Sequence, residues 1–394
     1  MMMHRLLFIS LFLSSSIYAL SLETVIQKAL EANPSLESIN HKIAANKSNI
    51  NVSNQFDNPV LSLADNNLDK DQAMSRSTIT ITQKIPYFGK RDSLEGTAIA
   101  EEAVLSQNLE KAKVALVNEI KNQAYTIWEL EELYKIIKEY EHITKQNIEL
   151  FESYTATADN QHMGIMSAEL TLSDLRIQRA TLDAQISTAY AKLSYLAAYK
   201  VNNLEQNLVV WDLPSPESFN EALQGNSDLA LRDKEILKSK SMEKTAELNN
   251  YPDINVLASY AYRENFDNFW TYGIGMTLPI YGTEDDKEEE ARILTLSAQS
   301  LKEDTQIAVN AEFETAYVQM KSAFRIYHIV QDEALPQIDH MFELTNSSIS
   351  TGGDLFKYID ILVQKLKLEQ KSIAAVGIYN RSMAKIEALS GDIE

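Results

Sequence analysis

The feature that most restricts the fold of this chain is that it is written twice. Pro59 and Pro252 stand 193 positions apart, and the same offset links Ala29-Leu30 to Ala222-Leu223, Asn33 to Asn226, Leu36 to Leu229, Pro86 to Pro279 and Gly89 to Gly282. Near the ends of the halves it links Tyr134 to Tyr327, Ala191-Lys192 to Ala384-Lys385 and Leu196 to Leu389. A register held over that distance without a net gap predicts two copies of one structural unit. The expected organisation is a leader over 1–19, a first repeat over 20–200, a linker over 201–216 and a second repeat over 217–394. Trp211-Asp212-Leu213-Pro214-Ser215-Pro216 supplies the turn chemistry of the linker.

Each copy carries the same order of elements. A helical stretch, 22–54 in the first copy and 217–250 in the second, ends at Pro59 or Pro252, which cannot continue a helix. Two strands follow. In the second copy Ile254, Val256, Ala258, Tyr260 and Tyr262 alternate on one face. After Arg263-Glu264-Asn265 a second run does the same with Trp270, Tyr272, Ile274, Met276 and Leu278. The first copy repeats the pattern with Leu61 and Leu63, then Ile79 and Ile81, and sets Thr78, Thr80 and Thr82 on the opposite face. These runs approach the 9 to 11 residues of a tilted transmembrane strand. Tyr260, Tyr262, Trp270 and Tyr272 are candidates for an interfacial aromatic girdle, and Pro59, Pro86, Pro252 and Pro279 mark the strand ends.

Long helices account for most of the rest. The chain has only 8 prolines and 11 glycines, with no proline between Pro86 and Pro214 or between Pro279 and Pro336. A helix of about 65 residues reaches about 100 Å. Leu109, Ala112, Leu116, Ile120, Ala124, Ile127, Leu130, Tyr134 and Ile137 step by three and four, the stripe of a helix packed along its length. Asp159-Asn160 and the aligned Gly352-Gly353 suit the turns from which a second long helix returns. The fold class is therefore mainly α with a small transmembrane β part: a tandem duplication with long antiparallel helical hairpins and four strands. Four strands cannot close a barrel, so several protomers must share one.

Composition narrows the function. Lys and Arg total 36 against 56 Asp and Glu, a formal charge of -20 that repels polyphosphate, so nucleic acid is not an expected partner. Without cysteine there is no disulfide, thiolate metal site or lipidated cysteine. Met1-Met2-Met3-His4-Arg5, the apolar run from Leu6 to Leu13, and Ser14-Ser15-Ser16-Ile17-Tyr18-Ala19 have the order of a secretory signal peptide cleaved after Ala19. No later window has the run of apolar residues of a transmembrane helix. No Gly-x-Ser-x-Gly elbow, His-Glu-x-x-His, P-loop or dinucleotide fingerprint is present, so neither an enzyme nor a cofactor is expected.

Several motifs together carry a resemblance. The first copy opens with Leu22-Glu23-Thr24-Val25-Ile26-Gln27-Lys28-Ala29-Leu30-Glu31-Ala32-Asn33-Pro34, then has Asn58-Pro59 and Ile85-Pro86-Tyr87-Phe88-Gly89-Lys90-Arg91. The second has Leu278-Pro279-Ile280-Tyr281-Gly282, Ala334-Leu335-Pro336 and the closing segment 384–391. In their order and spacing the sequence resembles the outer membrane factor, or TolC, family of efflux and secretion ducts over essentially the whole chain beyond residue 19. The Pro-Tyr-Phe-Gly-Lys-Arg form looks most like the heavy-metal efflux branch. The resemblance implies a homotrimer in which each protomer gives four strands to one twelve-stranded β-barrel in outer membrane lipid, continued by an α-barrel into the periplasm. It also implies a periplasmic adaptor protein and an inner-membrane pump, often of the resistance-nodulation-division type. The family narrows its periplasmic entrance with an Asp-Val-Leu-Asp segment. Asp360-Ile361-Leu362-Val363 matches its start, with Val363 where a second aspartate would stand. That makes Asp360 the gate candidate.

Four smaller readings complete the sequence. His162, Met163 and Met166 form a weak soft-metal candidate, with His162 and Met166 four apart. Glu284-Asp285-Asp286-Lys287-Glu288-Glu289-Glu290 follows Gly282 and suits the positive end of a helix. Lys90-Arg91 is expected at the membrane boundary, meeting headgroups. Pro336 falls inside the second long helix, where a bend is expected. The alternative to a duct is a soluble periplasmic coiled-coil adaptor or scaffold, which would use the helices and leave the hairpins unexplained.

Overall fold

The computed structural model describes residues 20–66, 72, 74–154, 159–349 and 355–391, with the backbone alone at 153–154, 159–162 and 348–349. The signal segment and Gly352-Gly353 therefore lie outside the described residues. The first half runs β1 (Leu20–Ser21), α1 (Leu22–Ala32), α2 (Pro34–Ser53), β2 (Val60–Asn66), β3 (Arg76–Ile85), α3 (Lys90–Tyr154) and α4 (Asp159–Ala197). After β4 (Leu204–Glu205) and short 3-10 turns at Pro216–Phe219 and Ala222–Gly225 come α5 (Ser227–Asn249), β5 (Ile254–Tyr262) and β6 (Phe269–Met276). The chain ends with α6 (Thr283–His328), a π-helical segment Ile329–Ala334, α7 (Leu335–Ile349) and α8 (Leu355–Ser390). The element order recurs, and matching elements keep close to the sequence offset.

The duplication extends to local chemistry. Asn33 caps α2 by accepting from the Ser35 N–H at 2.8 Å, and its counterpart Asn226 caps α5 by accepting from Asp228 and Leu229, both at 3.0 Å. Each side chain satisfies N–H groups that a helix start leaves unpaired. The cap at Asn33, with Pro34 behind it, divides the helical stretch expected over 22–54 into α1 and α2. Gly89 and Gly282 precede the long helices at φ +87° and +77°, a left-handed backbone that a side chain would strain. Their carbonyls accept the first helical bonds, from Ser93 and Asp286. Glu284, Asp285 and Asp286 occupy the first turn of α6, where the helix dipole favours them.

The chain divides into two units. One comprises the chain up to Ala32 with Ile120–Val210 and Ile326–Gly377. Its core joins Ile137, Tyr140, Ile148 and Phe151 of α3 to Leu172 and Leu175 of α4 and to Tyr358, Ile359, Leu362 and Leu366 of α8. Polar ties fix α3 against α4: Glu141 takes Arg179 at 2.6 Å and Arg176 at 3.4 Å, and Tyr190 donates to Glu131 at 2.7 Å. The parallel pair β1 and β4 also belongs here and was not apparent from periodicity, each strand being only two residues long.

The other unit comprises Asn33–Glu119, Trp211–Arg325 and Ile378–Glu394. It holds the antiparallel sheet, in the order β2-β3-β5-β6, so the hairpins of the two repeats pair through β3 and β5. Polar contacts tie its helices, such as Asn46 donating to the Ala98 carbonyl at 2.8 Å and Asn226 donating to the Leu389 carbonyl at 2.8 Å.

Candidate functional site

The sheet has two chemically distinct faces. On β5, Ile254, Val256, Ala258, Tyr260 and Tyr262 share a face, and the ladder sets Ile85, Gln83, Ile81 and Ile79 of β3 beside them. On the same face β6 contributes Met276, Ile274, Tyr272 and Trp270, and β2 contributes Leu61 and Leu63. The period of two that separates these residues within each strand thus becomes one apolar surface across four strands. It is open to solvent: Ile274 is 77% exposed, Tyr272 76% and Leu63 76%. Exposed apolar surface on this scale marks an interaction surface.

The opposite face is polar or small apart from Val60, Leu257 and Phe269. It carries Ser62 and Asn66 from β2, Thr78, Thr80 and Thr82 from β3, Asn255 and Ser259 from β5, and Thr271, Gly273 and Gly275 from β6. Apolar outside and polar inside is the alternation of a membrane β-barrel strand. β2 and β6 are edges, with no further strand beside them among the described residues. Such edges require a partner in hydrocarbon.

The aromatic candidates lie together on the apolar face. Tyr260 and Trp270 are cross-strand neighbours with ring centroids 5.1 Å apart, and Trp270 stacks on Tyr272 at 6.2 Å. Tyr262 follows at the end of β5 and is exposed. Pro59, Pro86, Pro252 and Pro279 stand just outside strands at the other end of the sheet.

At that end Asp253 forms a hub that periodicity did not reveal. Lys90 reaches it at 2.7 Å and Lys84 at 3.2 Å, and the Tyr87 N–H donates to it at 3.0 Å. Lys90 also donates to the Tyr251 carbonyl at 2.8 Å, and Tyr87 stacks on Tyr251 at 4.5 Å. Thr277 and Asp253 exchange hydrogen bonds at 3.1 Å, closing the base of the second hairpin. Burial alone would raise the Asp253 carboxyl, but the donors from Lys90, Tyr87 and Lys84 outweigh it and hold it below the usual carboxylate range. Lys90, expected among headgroups, is instead buried in this ion pair. Arg91 donates to the Asn54 carbonyl at 3.0 Å and lies over the Phe56 ring at 3.8 Å. The position aligned with Asp253 in the first repeat is Val60, so the repeat gave no hint of the hub.

In the other unit Asp360 is an exposed residue of α8 whose carboxylate accepts from Gln364 at 2.8 Å. Tyr358, Ile359, Ile361 and Leu362 around it are buried, which leaves Asp360 on the outer side of its helix. Further along, Lys365 pairs with Asp339 at 2.8 Å and approaches Glu369 at 3.9 Å. Burial raises the Glu369 carboxyl, against the lowering effect of the Tyr140 hydroxyl and Lys365. Asp159 and Asn160 open α4. The His162 side chain lies outside the described residues, while Met163 and Met166 are exposed. Among the described residues no group of three His, Asp or Glu is placed to hold a metal. Among them also, no helix is long and apolar enough to cross a membrane.

No family model matches the sequence, and no curated protein sequence does. Solved structures do. The crystal structure of the Campylobacter jejuni CmeC outer membrane channel is 14% identical, with a TM-score of 0.77 over 94% of this chain and 85% of that one. The open state of the Neisseria gonorrhoeae MtrE outer membrane channel is 14% identical, with a TM-score of 0.80 over 94% and 89%. The outer membrane protein VceC of Vibrio cholerae is 14% identical, with a TM-score of 0.78 over 95% and 97%. These neighbours are channels and membrane proteins, not enzymes. The long helices, the small antiparallel sheet and their order along the chain are those of the TolC, or outer membrane factor, channels, and this chain has that fold.

Proposed function

We propose that this chain is an outer membrane factor: a passive duct through which a periplasmic adaptor and an inner-membrane pump export solutes across the outer membrane. The observation that carries the reading is the four-stranded sheet with one exposed apolar face, one polar face and two open edges. Lipid against the first face, a water-filled lumen against the second, and neighbouring protomers on β2 and β6 satisfy all three surfaces at once. In this reading three protomers, four strands from each, close one twelve-stranded barrel, the assembly that the family resemblance implies. A soluble coiled-coil scaffold would leave the apolar face uncovered.

Within this reading residues 1–19 direct export, residues 20–200 and 217–394 are the two repeats, and Tyr260, Tyr262, Trp270 and Tyr272 sit at a lipid interface. Asp360 forms a threefold carboxylate ring at the periplasmic entrance and attracts cations there. The test is conductance of the detergent-purified protein in planar bilayers, with outer membrane fractionation alongside. A stable pore whose cation preference weakens in Asp360→Asn supports the duct and the gate. A pore indifferent to the substitution removes the gate alone. Folded protein that partitions into the soluble fraction and forms no pore overturns the duct.

A further inference from the structure

The polar face of the sheet has an unusual charge inventory. In a chain of formal charge -20, the ionisable side chains within the strands on that face are Arg76 and Lys84, both basic. Lys84 is answered by Asp253 at 3.2 Å. Arg76 stands at the other end of β3. The last ladder pair there is Ser77 with Tyr262, so the next step sets Arg76 opposite Arg263. Like charges set opposite each other at a ladder's end repel.

Both are held to one aromatic ring. Arg76 lies over Phe269 at 5.9 Å and Arg263 over the same ring at 5.1 Å, and Arg263 also lies over Phe266 at 5.5 Å. Arg263 is further fixed by its own turn. Its Nε donates to the Asp267 carbonyl at 2.8 Å, a second guanidinium nitrogen donates to the same oxygen, and its backbone N–H donates to Asn268 at 2.7 Å. The Asp267 contact is through the backbone, not the carboxylate. Among the described residues neither guanidinium pairs with a carboxylate. The ring orients the two forks and neutralises neither.

We propose that Arg76 and Arg263, held over Phe269, form an anion-binding site at the outer mouth of the duct. This rests on the reading of the polar face as the lumen. Paired guanidinium forks suit carboxylate and phosphate groups. Repeated in each protomer, they make a basic ring at the exit, opposite in sign to the Asp360 ring proposed for the entrance. The solutes favoured at the last step are anionic, and multivalent anions bind there most strongly.

The test is the anion-to-cation permeability ratio of the pore, read from the reversal potential in a salt gradient, with inorganic phosphate as the probe on the strand-tip side. Removing the ring in R76Q/R263Q is expected to lower the ratio about twofold or more, and to abolish block by phosphate, whereas R76K/R263K keeps most of both. The single variant R76Q gives an intermediate ratio and serves if the double variant does not assemble. A pore of normal conductance with an unchanged ratio and unchanged phosphate sensitivity in R76Q overturns the site and leaves the duct standing. No pore from folded wild-type protein overturns the duct and this inference together.

Discussion

Lys90 Nζ lies 2.7 Å from Asp253 Oδ1, a contact that spans 163 residues of sequence and joins the first residue of a 65-residue helix to the foot of a strand in the other repeat. Both side chains are largely buried, at 9% and 13% exposure, so each depends on the other for its charge.

Asp253→Asn should therefore lower stability by about 1–3 kcal/mol at neutral pH. The carboxyl is held below its ordinary range, so its contribution is complete above the unfolded value and is lost as pH falls through the lowered folded value. Thermal unfolding followed by circular dichroism should show wild type and variant far apart at neutral pH and converging below about pH 4. Equal midpoints at neutral pH would remove the hub from the stability of the sheet root.

Glu369 predicts the opposite sign. Burial raises its carboxyl, so it destabilises the fold increasingly as pH rises through the folded value. Glu369→Gln keeps an acceptor for Tyr140 and should raise the thermal midpoint at neutral pH, with the gain shrinking as the pH is lowered toward the unfolded value. A variant that gains equally at all pH values would point to packing instead.

The two faces of β6 should respond differently to one substitution. Ile274→Arg puts a guanidinium on the apolar face, where a charge near the middle of a bilayer costs about 2–4 kcal/mol. Thr271→Arg puts the same group on the polar face and should be tolerated. Outer membrane fractionation and the yield of assembled oligomer distinguish them. Equal yields would contradict the assignment of the apolar face to lipid.

Asn226 and Asn33 are aligned caps. Asn226 accepts two backbone N–H groups and donates to the Leu389 carbonyl from a site only 1% exposed. Asn33 accepts the Ser35 N–H at the aligned cap. Asn226→Ala should cost about 2–3 kcal/mol. The thermal midpoint of this variant tests it, and a midpoint equal to wild type would remove the cap from the stability of the second repeat.

What could be read from the sequence was whatever repeats locally. The alternation in Ile254 to Tyr262 and in Trp270 to Met276 appears in the strands, with Leu278 lying past the end of β6, and so does the opposition of Thr78, Thr80 and Thr82 to Ile79 and Ile81. Periodicity assigns a face within one strand. It does not say which face of β3 adjoins which face of β5, because that depends on a register set across 169 to 185 residues of sequence. Lys90 was misplaced for the same reason: a lysine beside a strand end reads as a headgroup ligand until the distant aspartate is brought to it. The break at Asn33 was legible in Asn33-Pro34, a capping side chain followed by a proline suited to the first helical position, and the helical stretch expected over 22–54 passed over it. Asp360 was legible as an exposed helix position, but the ring proposed for it belongs to an assembly that one chain does not contain.

The π-helical segment Ile329–Ala334 ends two residues before Pro336, whose ring would otherwise press on the Asp332 carbonyl and whose missing N–H would leave that oxygen unanswered. Proline thus ends the α-helical ladder without ending the helix. A π turn takes up roughly one more residue than an α turn, so the side chains beyond it are rotated by about 100° from where an unbroken α-helix would carry them. The aligned residues of α3 run through this stretch as plain α-helix. Sequence positions 193 apart therefore cease to be equivalent in direction past this point, and the two repeats present different side chains to their neighbours from the same alignment column. A chain built by copying one unit has in this way gained two non-interchangeable helical surfaces without the insertion or deletion of a residue.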